Sequence, residues 1–448
     1  MKKCLYILLI VILLVPSLSG CEHFAPGGGQ VDRPPLTSAD DPAGTPSDGP
    51  AGEEDPTVDE YGFTLFPEGN YLANPKFDTD EFLPDYDVDI SFVQHGSTDQ
   101  RGVCATADTI YSYSDMNGKL MYTDKATGLT LPLCGKPECT HTDDTCNAYI
   151  GDDASGLRVY GGKLYWIEGG QTQAVMRMNL DGTARERVTG LNRMDIQVGG
   201  VRIGGDSTWT IHRGYVYVAG MLDTVVNGEP RSAFTVYAKP LDGGEGFTVM
   251  SSLQDGSGAY CAMRPVGNDL YIMTSSSGYE DRETREGPIV FLSFYRWNSK
   301  TRQAECLYSQ GRGTSGSVGF YAGCFPLPVP GEGIYFCDVV ESVDDALAAR
   351  ILKLSFETGT VEETGSFPVP ETWPRFTAEH VVVSTLSGNS PLRFYDYNGE
   401  LLFECGPFGT AVGGMLMGED EQYAYYMCDN RKDFLAVPKD GGPVLTIQ

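Results

Sequence analysis

Histidine is scarce in this chain, and positive charge is outweighed. There are 5 histidines in 448 residues, and 32 Lys and Arg against 61 Asp and Glu, for a formal net charge of −29. A basic footprint is what phosphate binding needs, so this balance excludes nucleic acid as a natural partner. An acidic surface of this kind favours solubility, and secondarily a cationic partner. No G-x-S-x-G elbow, phosphate loop, H-E-x-x-H or dinucleotide fingerprint is present. Of the histidines, His23 falls in a Pro/Gly-rich stretch, His95 and His212 flank strand-like words, and His380 begins one, which reads as a surface or turn position. Only His141 lies within a cluster of several cysteines. Beyond the first 20 residues no window has the length and apolarity of a membrane-spanning helix.

What the chain has in abundance is one phrase, repeated seven times: an apolar-aromatic strand word, a gap, a second strand word and a Gly/Asp turn. The clearest copy runs Lys163-Leu164-Tyr165-Trp166-Ile167, then Val175-Met176-Arg177-Met178-Asn179-Leu180-Asp181-Gly182-Thr183. Aromatic and β-branched residues in short alternating runs suit half-buried strands. Asp-Gly, Asn-Gly and Thr-Gly supply the positive φ of tight hairpins. One such hairpin cannot bury its apolar face alone, so neighbours must stack and close. The anchors Tyr111, Tyr165, Tyr217, Tyr271, Tyr335, Val382 and Tyr425 recur at a spacing somewhat longer than a minimal four-stranded blade. The pattern predicts an all-β fold, a β-propeller of seven blades over 59–448, with six or eight blades as the alternatives. The extra length is expected in loops at 135–158, 221–232, 275–288 and 338–349. Val88-Asp89-Ile90-Ser91-Phe92-Val93 alternates as a strand, so 86–94 is expected to complete the last blade beside 443–447.

Leu164-Tyr165-Trp166, Arg177, Asn179-Leu180-Asp181-Gly182-Thr183 and Arg185-Glu186 resemble the YWTD-type blade of low-density-lipoprotein-receptor propellers. They are also similar to propeller modules of unassigned role in surface lipoproteins of Gram-positive gut bacteria. The likeness departs at Ile167-Glu168, where Thr-Asp would stand. It implies a fold and no ligand.

The N-terminus gives the cellular address. Lys2 and Lys3 precede an apolar stretch at 5–15, and Leu18-Ser19-Gly20-Cys21 matches a bacterial lipobox. Residues 1–20 therefore read as a lipoprotein signal peptide. Cys21 reads as the lipid-attachment residue, carrying palmitate-type acyl chains on the extracytoplasmic face of the cell membrane. Residues 22–58 are dominated by Gly, Pro, Asp, Ser and Glu and read, with Cys21, as a disordered tether over 21–58.

The second distinctive segment lies at 134–148, an inter-blade loop with Cys134, Cys139, His141 and Cys146 in the spacing C-x4-C-x-H-x4-C. Short Cys/His spacing lets one loop supply the four ligands of zinc. The alternative is disulfides. The exported chain has ten further cysteines besides Cys21, an even number, and Cys104 could pair with one of the loop cysteines. Asp85-Tyr86-Asp87-Val88-Asp89 puts three carboxylates on one strand face, expected to be solvated rather than bound to Ca²⁺. Three functions stay open at this level. The first is a lipid-anchored binding or scaffolding module for an extracellular protein or glycan. The second is a propeller enzyme acting on carbohydrate as a glycosidase or lyase. The third is a metal-binding or redox-sensing surface protein acting through the 134–146 loop.

Overall fold

A computed structural model describes residues 57–58, 63–65, 76–84, 86–87 and 102–447, apart from 115–117, 143, 152–153, 169–172, 192–207, 227–228, 245, 255–259, 282–285, 302, 314–318, 321–325, 342–346, 369–373, 378, 384–390, 407–411, 420–421 and 429–433. Cys21, residues 22–56 of the expected tether, His23, His95 and 88–94 lie outside these residues, whereas Thr57–Val58, expected in the tether, is a strand paired with Phe63–Leu65. The described strands form seven antiparallel sheets arranged in a ring, a seven-bladed β-propeller.

Each blade takes its four principal strands from one continuous stretch of chain, running from the ring axis outward. Blade one is Gly102–Ala105, Thr109–Ser114, Lys119–Asp124 and Thr130–Pro132. Blade two is Ala154–Tyr160, Lys163–Glu168, Ala174–Asn179 and Glu186–Gly190. Blade three is Thr208–His212, Tyr215–Val226, Glu229–Pro240 and Phe247–Gln254. Blade four is Tyr260–Val266, Asp269–Asp281, Glu286–Asn298 and Gln303–Gly313. Blade five pairs Leu327–Val329 and Gly319–Phe320 with Gly333–Glu341, followed by Leu347–Ser355 and Val361–Pro368. Blade six is Arg375–Phe376, Val381–Val383, Leu392–Tyr395 and Leu401–Cys405. Blade seven is Val412–Glu419, Tyr423–Cys428, Phe434–Pro438 and Leu445–Ile447.

Both faces of each blade are covered by neighbours, so alternate residues of one strand enter different cores. Tyr215, Tyr217 and Ala219 pack towards blade four with Leu270, Ile272 and Trp297. Val216 and Val218, between them in sequence, pack towards blade two with Tyr165, Ile167 and Val175. The same logic gives one apolar layer per blade interface, including the one that joins blade seven to blade one through Tyr425, Ala436, Val103 and Ile110. All seven repeat anchors are buried in these layers.

Three of the expected long loops are strand instead. The second and third strands of blades three, four and five are prolonged to 12, 13 and 9 residues each. The extra length pairs with itself, as in Met221 with Phe234 and Ser276 with Phe291, and satisfies its own backbone groups. In the last blade Leu445–Ile447 pairs with Phe434–Ala436, so that blade draws its four described strands from the C-terminal stretch alone.

The segment before blade one has a different role from ring closure. Phe63–Leu65 adds to the outer edge of blade three, and residues 76–84 and 86–87 form a strap over blades two to four. Arg213, in the turn between the first two strands of blade three, fastens it. Its side chain is fully buried; it donates to both carboxylate oxygens of Asp87 at 2.7 and 2.5 Å and to the carbonyls of Phe77, Thr79 and Glu81. It also reaches Asn268 of blade four at 2.5 Å. Lys300 pairs with Asp80 from the same side. Asp87 is therefore a buried ion-pair partner and not the solvated carboxylate its sequence context suggested. A buried guanidinium demands such a complete set of acceptors.

Beside the strap, His212 is wholly buried with Nε2 2.7 Å from the Gly267 carbonyl. Burial pushes its pKa down to about 4, with Arg213 acting in the same direction, while the Gly267 bond and Asp87 oppose it. His380 is likewise buried, edge-on to Phe394 and Phe403, rather than a surface residue. Between pH 6.5 and about 4 the unfolded chain protonates His212 while the folded chain does not. Stability therefore falls as the pH is lowered through that window, by up to about 3 kcal/mol from this group. Urea unfolding at pH 7 and pH 4.5 will reveal the loss in the native chain, and His212→Gln will flatten it.

Candidate metal centre

The loop between blades one and two is built around Cys134, Cys139, His141 and Cys146. Their ligand atoms all lie within 4.8 Å of one another. Among the described residues this is the one group of three or more His, Cys, Asp or Glu side chains so placed. The expected loop and all four of its candidate residues thus come together at one point.

The loop leaves blade one at the end of Thr130–Pro132 and is laced back onto it. Leu133 N donates to Leu120 O at 2.9 Å, Leu120 N to Ala148 O at 2.8 Å and Ile150 N to Gly118 O at 2.8 Å. Leu133, Ala148 and Ile150 are buried, so both ends of the loop are rooted in the core. Lys119 Nζ donates to His141 O at 2.7 Å, and Lys136 Nζ donates to Thr145 O. His141 adopts φ 59°, a left-handed conformation that costs a β-carbon-bearing residue about 1–2 kcal/mol. The turn brings its Nδ1 to 3.4 Å from Cys146 Sγ. Strain of this kind concentrates at ligand clamps.

Blade two supplies the outer wall. Asn147 Nδ2 donates to Gly182 O at 2.8 Å, and Arg185 Nη1 donates to Tyr149 O at 2.6 Å. Gly182 has φ 80°, and a β-carbon there would lie 2.8 Å from Leu133 O and 2.9 Å from Cys134 N. One at Gly135 would meet Thr183 Cγ2 at 2.4 Å. The cysteine loop and the 179–183 turn are thus seated backbone against backbone. Nothing in the sequence of the loop itself points to Gly182 or Arg185, whose partners lie some 35 residues away.

The thiols are not equivalent. For Cys134, burial works to raise the pKa but is outweighed by the amides of Lys136 and Asn147 and by the thiols of Cys139 and Cys146, so its pKa falls. For Cys146, burial dominates and raises it to about 11, against the amide of Ala148. Amides that bond sulfur favour thiolate, the ligating form. Tetrahedral bonds of about 2.0–2.3 Å put ligand atoms roughly 3.3–3.8 Å apart, a separation that His141 Nδ1 and Cys146 Sγ, at 3.4 Å, already have. The donor set therefore fits a tetrahedral thiophilic ion.

No disulfide joins any two of the described cysteines Cys104, Cys134, Cys139, Cys146, Cys261, Cys306, Cys337 and Cys405. Cys104 is not part of the loop. It is buried in the layer between blades one and two, where burial raises its thiol pKa and Arg158 opposes the rise.

No family model and no curated protein matches this chain. Among solved structures it is similar to an oligogalacturonate lyase in complex with manganese, at 10% identity and TM-score 0.42 over 76% of this chain and 85% of that one. It is similar also to a prolyl endopeptidase, at 12% and 0.46 over 83% and 50%, so it spans half the length of that enzyme. A third is the β-propeller domain of the Trilobed protease from Pyrococcus furiosus, at 9% and 0.40 over 80% and 96%. At these scores the fold of this chain rests on its own seven sheets, and none of the three informs its chemistry.

Gly182→Ala will destabilise the chain by about 1–3 kcal/mol, from backbone strain and the clash with 133–134. Chemical denaturation measures the loss, and an unchanged midpoint would contradict this account of the blade contact.

Proposed function

We propose that the chain is an extracellular, lipid-anchored β-propeller that acts as a binding or scaffolding module for a protein or glycan, with a zinc ion bracing the Cys134, Cys139, His141 and Cys146 loop. The observation that carries this reading is the make-up of the cluster. Four protein ligands complete a tetrahedral shell, the composition of structural zinc, whereas a catalytic zinc keeps a position open for water or substrate. The ion would neutralise thiolates and join 134–146 into one rigid unit against blade two. The lipobox at Leu18-Ser19-Gly20-Cys21 and the polar stretch after it support attachment at Cys21 and display outside the cell.

The likeness of blade two to YWTD-type blades belongs to the same reading. It is supported by the turn that the shared residues build: Asn179 Nδ2 donates to Thr183 Oγ1 at 2.9 Å, and Thr183 N donates to Asp181 at 2.9 Å.

Elemental analysis of protein purified without chelator tests the brace, with about one zinc per chain expected. Chelation will lower the melting temperature, because a ligand bound only to the folded state stabilises it. Cys139→Ser will lose the metal. Intact disulfides among Cys134, Cys139 and Cys146 by mass spectrometry would overturn the proposal.

Cys21→Ala will shift the protein from the membrane to the soluble fraction and remove the mass of the acyl chains. Saturable binding to immobilised glycans or surface proteins without turnover supports the binding role. Turnover of a carbohydrate, lost on substitution of a channel residue, would replace it with an enzymatic one.

A further inference from the structure

The described cysteines fall into two kinds. Cys104, Cys146, Cys261, Cys337 and Cys405 are buried, whereas Cys134, Cys139 and Cys306 are partly exposed. Cys306 stands on the outermost strand of blade four and directs its sulfur to the Tyr308 carbonyl at 3.7 Å. Cys134 and Cys139 combine access to solvent with closeness to other thiols, because their sulfurs belong to the cluster whose ligand atoms lie within 4.8 Å of one another.

The loop holds its three cysteines differently. Cys134 follows the buried Leu133, and Cys146 is itself buried two residues before the buried Ala148, so both are rooted in the body of the ring. Cys139 lies between the exposed Glu138 and Thr140, on the outward part of the loop. A turn in which Cys139 N donates to Lys136 O at 3.2 Å folds it back towards Cys134. Cys146 instead has His141 Nδ1 beside it at 3.4 Å. A disulfide needs its sulfurs about 2.05 Å apart, and the movement that closes the gap falls to Cys139, whose neighbours are in water. The pair that both meets solvent and can close on itself is therefore Cys134 with Cys139.

Three thiolates and a neutral imidazole around Zn²⁺ leave the shell with a net negative charge. Thiolate is the form that oxidants attack, and exposure decides which thiolate is attacked. We propose that Cys134 and Cys139 are an oxidant-modified pair whose joining releases the metal, an inference that rests on the zinc brace proposed above. A two-electron oxidant such as hydrogen peroxide drives the step. Two zinc–sulfur bonds break, the two sulfurs give up two electrons and form one sulfur–sulfur bond, and the peroxide bond is reduced to two hydroxides. Zinc keeps only His141 and Cys146, half of its shell, and leaves as the free ion. A dithiol reverses the step by exchange, taking the disulfide for itself and returning two thiols. The bonds of Asn147 and Tyr149 to blade two lie beyond Cys146, so the exposed run changes shape while the loop keeps its seat.

The full chain, purified without oxygen or chelator, is assayed first for zinc and then titrated with hydrogen peroxide. A chromogenic chelator follows release against a peroxide-free control, and alkylation with peptide mapping follows the thiols. About one zinc and two thiols per chain will be lost together, with Cys134 joined to Cys139 and Cys146 still alkylated after denaturation. Dithiothreitol with added zinc will restore both. Cys306→Ser will respond as the native chain does. A zinc-free chain at the outset would overturn the zinc brace, and the switch with it. Zinc that is present at the outset but retained at peroxide levels that oxidise free cysteine would overturn the switch alone. So would release of zinc with no bond between Cys134 and Cys139.

Discussion

Two-sided burial of every blade is the constraint on which this structure depends. A sheet that presents apolar side chains on both faces has no solvent side, so it needs a neighbour on each. Trp166 illustrates the point: it is fully buried in the layer between blades one and two, while the adjacent Tyr165 and Ile167 serve the layer between blades two and three. Removing a blade would expose two cores at once. The ring is the only arrangement of such units that ends without an uncovered face, and here it ends by packing blade seven directly onto blade one.

This constraint explains what could be read from the sequence. The second and third strands of each blade lie mid-sheet and are covered on both sides, so they carry dense words such as Tyr215-Val216-Tyr217-Val218. Those words were enough to indicate seven blades. The outermost strands are half in water; Val361–Pro368 and Leu401–Cys405 are largely exposed and carry little periodic signal. Innermost strands fail for another reason. Buried polar residues such as Arg264 and Arg375 interrupt their apolar pattern. The long hairpins were missed because Gly278, Ser276 and Asp223 have loop-like chemistry, yet continued pairing holds them as strand.

The cysteine loop was legible because its four ligands lie within 13 residues, and local spacing survives folding. Its wall was not. Gly182 and Arg185 acquire their roles only when blade two docks, and the free Cys104 thiol is separated from the loop by a whole blade. Asp87 is the instructive reversal. Its neighbours Asp85 and Asp89 made it look solvated, but a partner 126 residues away, Arg213, takes it out of water. Long-range pairing of single charges leaves no trace in local composition.

The clamp at Arg213 also determines how the ring meets mechanical load. Tension drawn along the chain from its N-terminal side reaches the body at the outer edge of blade three and at the strap across blades two to four. The buried guanidinium holds three carbonyls, a carboxylate and an amide together, so these contacts share the load and must yield as a group. The join between blades seven and one, where no strand ties the ends of the described ring together, lies on other blades. A pull on this protein is therefore taken up where the ring is stitched and spared where it is merely stacked.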